Sequence, residues 1–363
     1  MDEQKDPIRV VLVGCGNWGS KLLLKMLDMS DIQVAGVIDP VEGRLAEVAK
    51  LVDSQRGKPK VRKITQYLDS IDALSLWDSV DALVIASPSE NHLIWAEFGI
   101  NEGKHVFVEK PITKSLAESI QLQKTQLRRV MAGKPDKVFM VGHVTHYDPG
   151  VAKFFEQIHS VVVPKGPVRI TRSGRWMGDQ QRFDFSKEGA ESFSDIWWAL
   201  APHDVSSMLF HMGVPDKSGV LLYSDGRVQG TFKIGSRDVS LTVYRSDEER
   251  VRMYEVDTDK GPVVYDQLTG EFRGFQKGDL GEKVSFGQYD SLRLELREFV
   301  KCIRLGKQPE TGLQQGLDTV RWLERVSDDI SLALYGNGDH NSEDTLTEPV
   351  FVDGTKEADD NNV

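Results

Sequence analysis

Three glycines near the start of the chain have the spacing of a loop that binds phosphate groups. They lie in the segment Gly14-Cys15-Gly16-Asn17-Trp18-Gly19, between a short apolar run and a stretch whose apolar residues recur with helical spacing. In such a loop the first glycine permits a tight turn, the second lets a pyrophosphate approach the backbone, and the third lets the helix lie close to the strand. The N–H groups at the start of the helix then face the phosphates. The segment therefore predicts a dinucleotide-binding site.

A carboxylate stands where it can bind the ribose of that dinucleotide. Residues 32–38 predict a second strand, and Asp39 follows it directly, about 20 residues beyond Gly19. A carboxylate at this place accepts hydrogen bonds from the adenosine ribose, and it repels the 2′-phosphate of NADP. The alternative is an ordinary strand–helix–strand unit with a surface Asp. The combination of strand, helix, strand and acid favours a bound cofactor, with NAD preferred to NADP.

A lysine follows a later strand of the same predicted sheet. Ligands of an open α/β sheet bind outside the carboxyl ends of its strands. A strand over 105–108 leads into Glu109-Lys110-Pro111, and Pro111 biases Lys110 away from helical dihedral angles, with a peptide bond that can be cis. The Lys110 ammonium is expected to lie beside the nicotinamide, where it can polarise an oxygen atom during hydride transfer. The alternative for so common a tripeptide is a lysine that faces solvent.

Two further segments are candidates for the same site. A buried strand over 81–86 ends at Ser87-Pro88, and the next helix opens at His92, so we expect all three residues to contact the cofactor. Later in the chain, His203 follows Pro202 at the start of a helical stretch. A neutral imidazole can accept the proton of a substrate hydroxyl at physiological pH. The alternative for His203 is a histidine that packs or caps at the helix entry.

The order of predicted elements indicates two domains and a tail. Strands alternate with helices over 1–143, which predicts a doubly wound parallel α/β sheet of the Rossmann type. Residues 144–336 predict an α+β domain with a large open, mostly antiparallel sheet, whose free face could join subunits into a homodimer or homotetramer. Within these domains we predict a helical stretch over 67–77, one helix within 195–213 and a strand over 220–228. Residues 337–363 are acidic and aperiodic and are predicted to be disordered.

Composition limits the partners and the chemistry. The formal net charge is −11, and the tail alone contains eight acidic residues and one lysine, so there is no basic patch for a nucleic acid. Only Cys15 and Cys302 are present, which argues against a disulfide framework or a cysteine metal cluster, and no metal site is predicted. No apolar run has transmembrane length and the first residues do not resemble a signal peptide. We therefore expect a cytoplasmic protein without a membrane partner.

Several segments together resemble the Gfo/Idh/MocA oxidoreductase family, and within it the nucleotide-sugar dehydrogenase branch. The resemblance covers about Ile8 to Leu334 and rests on residues 14–19, 86–92, 103–111, 142–149 and 198–204. It implies an NAD(P)-binding Rossmann domain followed by a domain whose open sheet often forms dimers or tetramers. It also implies that Lys110 is the catalytic lysine, that Glu109 lies near the nicotinamide ribose, and that His203 transfers the proton. The candidates for the substrate side are His146, Tyr147, Arg172, Arg175 and Trp176, with His203 and, as a substitute acid, Asp195. Arg172 and Arg175 could bind a diphosphate or simply be solvated.

One position departs from the family pattern. Relatives usually carry an Asp where this chain has Ala199, four residues before His203, to bind the substrate or orient the imidazole. Either Asp195 or Asp204 replaces it, or Lys110 takes over more of the proton transfer, or ordinary dehydrogenase activity is lost. The expected function is NAD-dependent oxidation of a secondary hydroxyl of a sugar, foremost a nucleotide-linked sugar. The alternatives are an NAD(P)-binding regulatory or scaffold protein and a sugar or cyclitol dehydrogenase that recycles a tightly held cofactor.

Overall fold

The chain forms two compact units in a computed structural model that describes residues 6–54, 64, 66–70, 77–175, 192–275, 282–285, 289–335 and 352–353. The first unit consists of Met1–Tyr147 with Asp290–Val320, and the second of Asp148–Tyr289 with Arg321–Val363. This division differs from the predicted domains, because residues 290–320 belong with the first unit.

The bounds of the strands and helices are as follows. The strands are β1 (Ile8–Val13), β2 (Ile32–Ile38), β3 (Gln66–Leu68), β4 (Ala82–Ile85), β5 (His105–Glu109), β6 (Phe139–Gly142), β7 (Val168–Gly174), β8 (Lys217–Leu222), β9 (Val228–Ile234), β10 (Arg237–Arg245), β11 (Arg252–Val256), β12 (Val263–Asp266), β13 (Glu271–Gly274), β14 (Glu282–Ser285) and β15 (Val352–Asp353). The α-helices are α1 (Asn17–Leu27), α2 (Arg44–Ser54), α3 (His92–Asn101), α4 (Leu116–Met131), α5 (Pro149–Ser160), α6 (Phe193–Leu200), α7 (Pro202–Met212), α8 (Ser291–Leu305) and α9 (Leu313–Tyr335).

The first unit is built on a parallel sheet of six strands in the order β3-β2-β1-β4-β5-β6. This is the predicted doubly wound α/β fold, with apolar residues buried along its central strands. The predicted helix over 67–77 is wrong at its start, since Gln66–Leu68 forms edge strand β3 beside β2. Pairing with a neighbouring strand outweighs local helical preference there. Residues 71–76 of that prediction lie outside the described residues.

Helix α8 completes the core of the first unit from far along the sequence. Its residues Leu296, Phe299 and Val300 are buried in the same apolar cluster as Leu12 and Phe107. The rings of Phe107 and Phe299 lie 5.7 Å apart at 70°, an edge-to-face contact. Near the start of α8, Asp290 accepts a hydrogen bond from Lys25 on α1. Residues 290–320 therefore belong to the first unit because they cover its sheet.

The second unit contains a sheet of nine strands in the order β14-β13-β12-β11-β7-β10-β9-β8-β15. It is mostly antiparallel, as predicted, although β7 and β10 run parallel. The predicted strand over 220–228 is wrong, because a turn at Gly226 separates β8 from β9. The single helix predicted within 195–213 is in fact α6 and α7, because Pro202 has no N–H with which to continue α6. Strands β13 and β14 are additional to the prediction.

Two other sequence predictions concern this sheet. Val352 and Asp353, within the predicted disordered tail, form β15 and pair with Val220 and Gly219 of β8. The rest of the tail lies outside the described residues. Along β9, buried apolar residues alternate with the half-exposed Gln229, Thr231 and Lys233, so one face of the sheet is covered and the other is polar. Subunit contact through that polar face stays a prediction.

A buried ion pair connects helix α7 to the covered face of this sheet. The Arg172 guanidinium on β7 donates to both carboxylate oxygens of Asp204 on α7, with 2.8 Å from Nη2 to Oδ1. The Tyr254 hydroxyl on β11 donates to the same Oδ1 at 2.6 Å. Burial alone would lower the pKa of Arg172, but attraction and hydrogen bonds from Asp204 raise it. The guanidinium therefore stays charged, and Asp204 is matched in charge and in hydrogen bonds.

Arg172→Met is expected to reduce the free energy of unfolding by about 3–5 kcal/mol, because it leaves the Asp204 carboxylate buried without its counter-ion. Arg169→Met is the matched control on the same strand, since Arg169 forms a partly exposed pair with Asp257 and its loss should cost less than about 1 kcal/mol. Denaturant unfolding of both variants measures the difference. Similar losses in the two variants would contradict a structural role for the buried pair.

Candidate functional site

The three glycines of residues 14–19, called here the glycine loop, are required for three different reasons. Gly14 has a φ of +84°, and a Cβ on it would lie 2.5 Å from the backbone nitrogen of Ser87. A Cβ on Gly19 would lie 2.2 Å from the carbonyl oxygen of Gly14. A Cβ on Gly16 would meet nothing within 4 Å. The first and third glycines thus bring α1 close to β1 and β4, while the second leaves open space beside its backbone.

That open space adjoins the start of α1. Gly16 is the N-cap residue, and no side chain accepts a hydrogen bond from the first N–H groups of the helix within the described part of the chain. Asn17 is exposed and Trp18 is half-buried. Free backbone donors, the positive end of the helix and an unobstructed glycine together suit a pyrophosphate. The residues present therefore fit a dinucleotide.

Asp39 is tied to the glycine loop. Its carboxylate accepts hydrogen bonds from the backbone N–H of Cys15 at 2.8 Å and of Val41 at 3.0 Å, and it is only 6% exposed. Each carboxylate oxygen can accept a second hydrogen bond, so a ribose hydroxyl can still bind. The Cys15 thiol is buried, and burial raises its pKa to about 11. It is a neutral filler of the loop at physiological pH.

His92 joins two other predicted cofactor segments. Its Nδ1 lies 2.8 Å from the Pro111 carbonyl oxygen, and its Nε2 lies 2.9 Å from the Ser87 carbonyl oxygen. Burial lowers the pKa of His92, while the two carbonyls oppose that shift. The buried imidazole thus holds the Lys110–Pro111 turn beside the turn at Ser87, and Pro88 remains exposed. Its contacts are with the backbone of these turns, a role that the sequence did not indicate.

Glu109 and Lys110 stand at the end of β5. The Lys110–Pro111 peptide bond is cis, as the sequence allowed. Glu109 is 5% exposed, and its Oε2 accepts from the Lys110 N–H at 3.3 Å. Burial raises the pKa of Glu109 to about 7, against the opposing effects of Trp18 and Lys110. A side chain at Gly142 on β6 would meet the Glu109 carboxylate at 3.1 Å, so that glycine makes room for the buried acid.

A second buried acid, Glu295 on α8, was missed in the sequence. It is 0% exposed, and neither carboxylate oxygen has a hydrogen-bond partner in the part of the chain that the structure describes. Burial, and then the charge of Glu109, raise the pKa of Glu295 well above its ordinary value. A signal was available, because Glu295 occupies the apolar face of α8 between Leu292 and Phe299. An acid on a buried face of this kind is a candidate for a protonated carboxyl.

Two histidines and a tyrosine follow β6 in the first unit. The rings of His143 and His146 lie 5.9 Å apart. His143 is fully buried, and burial followed by the charges of His146 and Lys110 lowers its pKa well below the ordinary value. The Tyr147 hydroxyl lies 3.0 Å from the Thr311 hydroxyl, and burial raises its pKa. Burial therefore favours the neutral forms of His143 and Tyr147, which follow β6.

The remaining predicted site residues belong to the second unit. His203 is buried in the first turn of α7. Arg172 and Asp204 are engaged in the buried ion pair with Tyr254, which leaves that arginine committed to a protein partner. The Asp195 carboxylate caps α6, accepting from the Ser192 N–H at 2.9 Å. Both acids proposed to replace the carboxylate missing at Ala199 thus have other partners.

Two further residues, Arg175 and Trp176, were predicted for the substrate side. Arg175 is exposed at the end of β7, and Trp176 lies outside the described residues.

The described residues contain no group of three His, Cys, Asp or Glu side chains that could hold a metal ion. None of the helices in the described part of the chain is both long enough and apolar enough to cross a membrane.

Comparison with known proteins agrees with this geometry. Residues 8–143, which contain the glycine loop and Lys110, match the family model described as an oxidoreductase family with an NAD-binding Rossmann fold, GFO_IDH_MocA. Over these residues the chain is similar to the Gfo/Idh/MocA oxidoreductase family. The first unit thus contains a domain that matches an NAD-binding Rossmann fold, and the second unit contains a mostly antiparallel sheet.

Relatives resemble it along most of its length. It is 24% identical over 341 residues to the 4-carboxy-2-hydroxymuconate-6-semialdehyde dehydrogenase of a Sphingobium species, which covers 87% of this chain and 96% of the relative. The UDP-N-acetylglucosamine 3-dehydrogenase of Acidithiobacillus ferrooxidans has the same fold, with a TM-score of 0.70, 20% identity and coverage of 90% and 98%. So does myo-inositol 2-dehydrogenase of Lactobacillus plantarum, with a TM-score of 0.70, 16% identity and coverage of 90% and 98%.

Glu295→Gln is expected to stabilise the protein, and more so as the pH rises. The pKa of Glu295 is higher in the folded than in the unfolded chain, so bound protons stabilise the fold at low pH and that benefit is lost as the pH rises through the folded value. Glutamine mimics the protonated carboxyl at every pH. The melting temperature should therefore equal that of the wild type near pH 4 and exceed it near pH 8, by about 2–4 °C per kcal/mol gained.

Glu298→Gln is the matched control on the same helix, because Glu298 forms only a partly exposed pair with Lys301. Its melting temperature should not gain on the wild type as the pH rises. A gain for Glu295→Gln that is the same at both pH values would contradict a raised pKa as its cause.

Proposed function

We propose that this chain is an NAD-dependent dehydrogenase acting on a secondary hydroxyl of a sugar, with a nucleotide-linked sugar as the favoured substrate. The observation that carries the proposal is the shared sheet edge of the first unit. There the glycine loop follows β1 and Lys110 follows β5, and only β4 lies between those two strands. A dehydrogenase needs a dinucleotide site and a group that polarises oxygen at one such edge.

The chemistry divides between the cofactor and the protein. Oxidation of a secondary alcohol removes a hydride from carbon and a proton from oxygen and leaves a ketone. NAD, when bound, supplies the acceptor for the hydride. In the proposal the Lys110 ammonium hydrogen-bonds the substrate oxygen and stabilises its developing negative charge. His203, as a neutral imidazole, accepts the proton.

The names of the relatives support the substrate class. Two proteins with this fold are named as dehydrogenases of UDP-N-acetylglucosamine and of myo-inositol, so secondary hydroxyls on six-membered rings are the favoured targets. The relative from Sphingobium is named for a carboxylated semialdehyde, which makes an acidic substrate a possibility to include in any assay.

A catalytically altered NAD-binding regulatory protein is the second candidate. The observation in its favour is that Ala199 lacks the carboxylate usual in relatives, while Asp195 binds the Ser192 N–H and Asp204 binds Arg172. Such a protein would bind NADH and reduce no NAD. A dehydrogenase that recycles a held cofactor would instead purify with NAD or NADH bound, which the absorbance and fluorescence of the fresh protein would reveal.

Lys110→Met is expected to lower kcat/KM by at least about 100-fold and to leave NADH binding unchanged, because the ammonium acts on the substrate oxygen and not on the dinucleotide. The assay follows NADH formation from NAD with UDP-N-acetylglucosamine, myo-inositol and a panel of free sugars. Lys114→Met is the control, since Lys114 is exposed and pairs with Glu90. Retained turnover in Lys110→Met would refute the assigned role, and NADH binding without any turnover by the wild type would favour the regulatory protein.

Asp39→Asn is expected to raise the ratio of kcat/KM for NADP to that for NAD by about tenfold, because a 2′-phosphate no longer meets a carboxylate. Asparagine keeps an acceptor for the Cys15 N–H, so the glycine loop stays attached. Asp31→Asn, before the opposite end of β2, is the control and should leave the ratio unchanged. A wild-type enzyme that prefers NADP would contradict the choice of NAD.

A further inference from the structure

Arg252, at the start of β11, has no counter-ion among the residues that the structure describes. Its side chain is partly buried, and its Nε is enclosed and makes no hydrogen bond with any described residue. None of the ion pairs found among the described residues includes it. Buried polar groups nearly always have a hydrogen-bond partner, and arginine is seldom buried unless it is paired. The position of Arg252 therefore needs an explanation.

Two neighbouring arginines make a buried positive charge at Arg252 less favourable. Arg252 is the direct register partner of Arg172 on β7, so both side chains leave the same face of the sheet. Arg172 already binds Asp204 through both carboxylate oxygens. Burial, and then repulsion from Arg172 and from the exposed Arg250, lower the pKa of Arg252 to about 10. A guanidinium with that pKa is still charged at neutral pH.

The acids nearby do not neutralise Arg252. The Asp204 carboxylate is occupied by Arg172 and the Tyr254 hydroxyl. The Asp148 carboxylate accepts from the Tyr265 hydroxyl at 2.6 Å, from the Gln267 amide at 2.9 Å and from the Gly150 N–H at 2.9 Å. The side chains of Arg172 and Arg252 thus leave the same face of the sheet, and the Asp204 carboxylate pairs with Arg172 only.

We propose that Arg252, which lies beside the paired Arg172, binds an anionic group of the substrate, a carboxylate or a phosphate. This inference rests on the proposed function, because it assigns the anion to the sugar that is oxidised. An anion bound to the other N–H groups of the Arg252 guanidinium would relieve the repulsion between the arginines, and guanidinium planes bind both kinds of anion through paired N–H groups. The site adjoins α7, the helix that carries His203, because Arg172 contacts Asp204 in its first turn. Arg252 is thereby a specificity residue for acidic sugars.

Calorimetric titration of the full chain with glucuronate, glucose 6-phosphate and glucose tests the proposal. We expect at least one of the two anionic sugars to bind about tenfold more tightly than glucose. That preference should disappear in Arg252→Gln and be partly restored in Arg252→Lys, which keeps the charge but not the paired N–H groups. Arg250→Gln is the matched control, since it removes an exposed positive charge two residues away. The carboxylate and the phosphate are told apart by which of the two sugars shows the preference.

The expected effect on folding separates binding from damage. The Arg252 Nε makes no hydrogen bond with any described residue, so the melting temperature of Arg252→Gln should equal or exceed that of the wild type. Equal binding of glucose and the anionic sugars, no measurable binding of either anion, or a preference that survives in Arg252→Gln would overturn the inference.

Turnover distinguishes this inference from the proposed function. If the wild type reduces NAD with sugars and Arg252→Gln changes neither KM nor substrate preference, the dehydrogenase stands and the anion site falls. If no sugar is oxidised but anionic sugars still bind through Arg252, the anion site stands and the dehydrogenase falls. A rise in KM for the acidic substrate with an unchanged kcat is the result expected when both are correct.

Discussion

The backbone after β1 packs so closely that neither Gly14 nor Gly19 has room for a side chain. The dinucleotide site at this edge of the parallel sheet depends on that constraint. Gly14 lies against the backbone at Ser87, and Gly19 lies against Gly14. These two close approaches bring the start of α1 and the end of β4 to the same place. Asp39 attaches the loop to β2, and His92 attaches the end of β4 to the turn that carries Lys110. Backbone contacts and buried hydrogen bonds therefore position the candidate catalytic lysine, before any ligand is considered.

The elements that the sequence predicted best are those whose signal is local. The glycine loop, the strand leading to Lys110 and the helix start at Pro202 each follow from the geometry of glycine or proline or from a short apolar run. Two of the errors involve strand pairing, whereas the break between α6 and α7 follows from Pro202 itself. Gln66–Leu68 becomes a strand only because β2 offers a free edge, and the turn at Gly226 matters only once β8 and β9 pair. A local signal existed only for the turn, because Asp225-Gly226 is a common turn pair.

The candidate site illustrates the same limit. Lys110 and Asp39 could be identified from spacing, whereas Glu295 enters the neighbourhood of Glu109 from a helix almost two hundred residues away. In the second unit, Arg172 was a candidate for the substrate side, but the decisive facts are its ion pair with Asp204 and the neighbouring Arg252, which has no ion pair with any described residue. Charge balance in a buried place is a property of three-dimensional neighbours, and it is where sequence patterns are least informative.

The placement of α8 in the first unit has a consequence for biosynthesis. A ribosome releases the six strands of the parallel sheet long before it reaches residues 290–320, and until then Phe107 lacks the ring of Phe299 that packs against it. Part of the apolar surface of the nascent first unit therefore stays uncovered while eight of the nine strands of the second sheet are translated. A truncated transcript that encodes only residues 1–147 would yield a chain that exposes this surface, and the cell would handle it as a client of chaperones and proteases.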